Sequence, residues 1–157
     1  MLLKDLLKQA TVTLTNGDYL VANTASVGYL PTRVDTAALA KGHQLFKIVG
    51  IGTQDAETGL YPELHVVPVI NAEDNKSFVD DTDHPVVVFK DNKVQFVTHR
   101  NRMVEKDVYG GTEVHEYDVA AGNENKDVLR AFIAFAECEY SLGVNDFNLE
   151  GPEYLEA

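Results

Sequence analysis

Thr11-Val12-Thr13-Leu14-Thr15-Asn16-Gly17-Asp18-Tyr19-Leu20-Val21-Ala22 reads as two β-strands around a two-residue turn. Apolar and polar residues alternate on the first arm, as on a half-buried strand. Asn-Gly supplies two residues that accept positive φ, so the segment predicts a type I′ hairpin. Two further stretches repeat this logic. Pro85–Phe89 and Val94–Thr98 flank a turn at Asp91-Asn92, and Met103–Tyr109 and Thr112–Val119 flank Gly110-Gly111. Leu45–Ile51 and Leu64–Ile70 are apolar runs of the kind found in buried strands. Pro68 has no N–H to give to a ladder, which points to an edge strand or a bulge there.

Helical patterns flank the strands. Leu2/Leu6 and Leu3/Leu7 stand four residues apart, so residues 2–10 predict a short amphipathic helix that must dock to persist. Lys126–Leu142 predicts the one long helix, with Val128, Leu129, Phe132, Ile133, Ala136 and Tyr140 recurring at helical spacing. Asn125 can cap it and Gly143 can end it. Residues 23–34, with Gly28 and Pro31, read as a loop, and Asp35 can cap a short helix over 36–41 before Gly42. Polar Asn71–His84 reads as a mobile loop. The sum is an α+β fold: a mainly antiparallel sheet built from hairpins, a short N-terminal helix, and a long C-terminal helix packed on the sheet. Residues 1–143 are expected to form one globular domain, with 144–157 as an acidic, flexible tail.

At 157 residues and 45% apolar content, the chain can bury a core of its own. A single cysteine, Cys138, excludes an internal disulfide. No apolar run reaches the roughly 18–20 residues that span a bilayer, so no membrane partner is expected. The first residues are too charged for a secretory signal, which makes the cytoplasm the expected location.

The motifs for chemistry are sparse. Gly50-Ile51-Gly52 follows a strand, but Asp55 stands where a dinucleotide fingerprint needs its third glycine, so a hairpin loop is the better reading. Asp80, Asp81, Asp83 and His84, with Glu73 and Asp74 nearby, could offer oxygen ligands to a hard cation, but the EF-hand spacing is absent and a solvated loop is favoured. His65, His99 and His115 have no zinc-site spacing. Cys138 lies between Glu137 and Glu139 late in the helix, where the field disfavours a thiolate, so it reads as a packing or inert residue. No serine has the G-x-S-x-G context. Glu139 falls on the helix face of Val128, Phe132 and Phe135, where a carboxylate must be paired, neutral or turned outward. No metal, cofactor or catalytic residue is assigned, and the balance leans away from an enzyme.

Charge is the strongest functional signal. The formal net charge is −12. Residues 1–60 balance five acids with five bases, whereas residues 107–157 hold twelve acids against Lys126 and Arg130. Such a region repels nucleic acid and attracts basic surfaces. The leading expectation is a non-enzymatic interaction protein, of the kind phages encode as accessory proteins, that binds and inhibits a basic, nucleic-acid-handling partner. Glu113, Glu116, Asp118, Glu124, Asp127, Glu137, Glu139, Asp146 and Glu150 would form its binding surface. A basic island from Lys90 to Lys106 supplies the alternative, a small anion- or nucleotide-binding protein or enzyme with its site at His99, Arg100, Arg102 and Tyr109. A structural or assembly subunit, including a homo-oligomer, is the remaining reading.

Overall fold

In the computed structural model of the chain, the described residues are 1–22, 45–71, 78–98, 113–119, 122–140 and 142–154. Among the described residues, eight strands and two helices follow in the order α1 (Leu3–Leu6), β1 (Tyr19–Ala22), β2 (Leu45–Ile51), β3 (Glu63–Asn71), β4 (Phe78–Asp80), β5 (Val87–Lys90), β6 (Lys93–Thr98), β7 (Glu113–Asp118), α2 (Glu124–Tyr140) and β8 (Phe147–Glu150). The sheet runs β7-β6-β5-β3-β2-β1-β8, with β4 beside β3, and every pairing is antiparallel. The α+β class and the antiparallel sheet agree with the sequence. The expected loop at 23–34, helix at 36–41 and first arm of the third hairpin lie outside the described residues.

The core lies between one sheet face and α2. Leu20, Phe46, Ile48, Leu64, Val66, Val87, Phe89, Val94 and Phe96 point to that side and meet Val128, Leu129, Phe132, Phe135 and Ala136. Phe132 is fully buried and sits edge-on to Phe46 at 5.0 Å and to Phe147 at 4.9 Å. Edge-to-face pairs of this kind add about 0.5–1.5 kcal/mol beyond the area they bury. α1 is a single turn, held by buried Leu3 and Leu6 rather than by its own length.

The 11–22 hairpin is corrected. Residues 11–15 form no ladder, and β1 pairs instead with β2 and β8. The alternation was real, since Val12 and Leu14 are buried, but side chains take up this backbone. Asn125 Nδ2 donates to the Val12 carbonyl at 2.9 Å, and Gln54 Nε2 donates to that of Leu14 at 3.4 Å. Gly17 has φ +96° while Asn16 does not enter the positive region, so the turn follows type II rather than type I′. Asn16 ties this turn to β2 by accepting the Gly50 N–H at 2.9 Å. The 85–98 hairpin forms as expected, with Asp91 at φ 54° and Asn92 at φ 61° giving the I′ geometry.

Four further expectations change. β3 is central rather than an edge, yet Pro68 is tolerated. It falls between the last residue paired with β5, Val66, and the first paired with β4, Val69. Its carbonyl accepts the Asp81 N–H at 2.8 Å, so its missing N–H also points away from β2 and breaks no bond there. The loop expected over 71–84 contains β4. Residues 144–157, expected as a tail, contribute β8, which pairs with β1 over four positions. Burial of Phe147 anchors it, so the sheet crosses the boundary drawn at 143. The long helix begins at Glu124, which places Asn125 inside its first turn, where it reaches Val12 instead of capping.

Candidate functional site

The second face of the sheet is divided. At the β1–β2 end, Tyr19, Val21, Leu45 and Val69 form a small buried cluster joined by Tyr154. At the β5–β7 end, the strand register builds two rows across the sheet. Val49, His65, Val88, Gln95 and Glu116 are consecutive cross-strand partners, and so are Ile51, Glu63, Lys90, Lys93 and Asp118. The second row carries charges in the order minus, plus, plus, minus after Ile51.

These charges engage one another. His65 Nε2 lies 2.5 Å from Glu63 Oε2, Lys90 Nζ lies 3.6 Å from Glu63 Oε1, and Lys93 Nζ lies 3.7 Å from Glu116 Oε1. Val88, Lys90, Asp91, Lys93, Gln95 and Glu116 line a shallow concavity of about 220 Å³. Lys90 and Lys93 are more than half exposed, so each pair contributes only about 0–1 kcal/mol. Near the covered end, Lys47 donates to Asp80 at 3.0 Å. Burial lowers the Lys47 pKa, but the hydrogen bond and charge of Asp80 outweigh this and raise it on balance.

The nine acidic residues read from the sequence are spread over the molecule. Glu116 and Asp118 share the outer face of β7, with Glu113 on the same strand. Glu150 ends β8 at the opposite edge, six strand spacings or about 29 Å away. Glu124 and Asp127 occupy the first turn of α2, where the helix dipole favours anions, and Asp127 accepts from Arg130 at 2.9 Å. Exposed Glu137 lies about 20 Å further along the helix. Asp146 Oδ2 accepts the Gly143 N–H at 2.6 Å and shapes the turn into β8. The side chains of Glu113 and Glu139 are outside the described residues, as are His99, Arg100, Arg102 and Tyr109.

The remaining candidates resolve as follows. Gly50 and Gly52 lead into the loop between β2 and β3, as the hairpin reading expected. Gly50 is required by packing: a Cβ there would stand 2.5 Å from the Tyr61 ring, whose hydroxyl accepts the Asn16 N–H at 3.0 Å. Asp80 is engaged by Lys47 and Asp81 by His84, and among the described residues no three acids, histidines or cysteines converge as for a metal. His115 stacks on Phe96 at 4.6 Å. Cys138 is exposed, so it is no part of the core packing. Among the described residues no helix is long and apolar enough to cross a membrane. Sequence reasoning missed Glu63, which belongs to the charged rows. Its only signal is cross-strand register, which a single strand does not reveal.

The chain is 28% identical over 159 residues to Virion protein 4 of Enterococcus phage phiEF24C, in an alignment covering 96% of this chain and 90% of that protein. No family model and no solved structure matches. The likeness to a phage virion protein therefore spans the fold end to end rather than one motif, and it is compatible with an accessory or structural role.

Proposed function

We propose that this chain is a structural component of a phage particle, acting through surface contacts with neighbouring protein subunits. The observation that carries the reading is the similarity to a virion protein along 96% of the chain. The charged rows on the open half of the sheet suit such a role, because fixed cross-strand charges set register and orientation more than affinity. The acids of β7 and of α2 give separate contact patches for a basic neighbour, and their spread over two edges and a helix favours several contacts over one continuous ladder.

Gradient-purified particles of the encoding phage, analysed by quantitative mass spectrometry, test this. The chain should appear at a fixed ratio to the major capsid protein through successive gradient purifications. Intact particles that lack it would overturn the proposal.

A further inference from the structure

Residues 151–154 follow β8 and fold back over the turn that opens β1. Tyr154 N–H donates to the Gly151 carbonyl at 3.1 Å, closing a tight turn of the chain. Pro152 lies against Gly17, 3.2 Å from where a Cβ would stand, and the Tyr154 ring lies 5.9 Å from that of Tyr19. Between these two contacts sits Asp18. Its side chain is buried, and its Oδ2 accepts the Thr15 N–H at 2.9 Å. The residue between Pro152 and Tyr154 on the folded-back segment, as Asp18 lies between Gly17 and Tyr19, is the exposed acid Glu153.

We propose that residues 151–154 are a latch on the Thr15–Tyr19 turn, and that it loosens when Asp18 and Glu153 are both ionised. A buried carboxylate is disfavoured, and a second one beside it adds repulsion. The apolar contacts of Pro152 and Tyr154 oppose this and hold the segment down. Among the described residues, the other charged groups on the packed elements are Glu150 and Lys47, the partners of Tyr19 on β8 and β2. Glu150 adds negative charge, while Lys47 is held by Asp80.

The direction with pH follows. Burial raises the Asp18 pKa above 3.8, the Thr15 N–H works against this, and Glu153 raises it further. A carboxyl raised in the docked state favours docking below its ordinary value, and that contribution is lost as pH rises through the raised value. Lifting the latch takes Tyr154 off Tyr19 and opens that end of the buried cluster.

Amide protection measured by NMR on the full chain tests this, with the Leu149 amide, bonded to the Met1 carbonyl, as the reference within β8. Between about pH 4 and pH 7, protection of the Tyr154 amide should fall roughly threefold to tenfold relative to Leu149. Asp18→Asn and Glu153→Gln should each flatten that fall, and the exposed position of Glu153 keeps its variant folded. Protection that does not change with pH, or that falls equally in both variants, would overturn the latch.

Discussion

The two halves of the outer sheet face are built from the same ladder yet follow different rules. At the β1–β2 end the strands are buried on both sides, and all four residues of Tyr19–Ala22 are inaccessible. At the β5–β6 end only one side is covered, so Val94 and Phe96 are buried while Lys93 and Gln95 are not. An alternating strand thus marks where the second face is open, and a continuous apolar strand marks where it is covered. On the open half Lys90 and Lys93 stay more than half exposed while pairing with Glu63 and Glu116.

Substitutions can break this contrast, beginning in the shared core. Phe132→Ala removes the ring that joins α2 to β2 and β8, and should destabilise by about 3–5 kcal/mol in chemical denaturation. Both halves of the sheet should lose protection together, because both rest on α2. Gly50→Ala drives a methyl into the Tyr61 ring and should cost about 1–3 kcal/mol. Combining it with Tyr61→Ala should recover part of that loss, and additive losses would show that the close approach is not the cause. On the open half, a double-mutant cycle on Lys93 and Glu116 should give a coupling of about 0.2–1 kcal/mol that fades in high salt. A coupling above about 2 kcal/mol would mean that this half is not solvent-exposed in solution.

The sequence was most legible where one local rule decides the outcome. Asp91-Asn92 has few alternatives to a tight turn, and the stripe from Val128 to Ala136 has few alternatives to a helix. Asn16-Gly17 shows the limit. A turn signal says that the chain bends, not which strands it joins, and here the bend is fastened to β2 through Gly50. β8 escaped notice because its short Phe-Asn-Leu-Glu pattern lies among acids, and only burial of Phe147 reveals it. The charged rows were half legible. The basic residues stood out by composition, but pairing Lys90 with Glu63 requires the register of β3 on β5. The acidic third, conspicuous along the chain, divides in space because β7, α2 and β8 carry its members to separate places.

The pairing of β1 with β8 also bears on how the chain reaches this state. Tyr19 and Glu150 are register partners, whereas the β5–β6 hairpin closes between Lys90 and Lys93. Closing a loop of about 130 residues rather than about three costs roughly 3 kcal/mol more in chain entropy. Contacts of such long range slow folding, because the entropy is lost before the contacts reward it. The β5–β6 pairing is therefore a local closure, while β1 gains its second neighbour only when distant parts of the chain have been brought together.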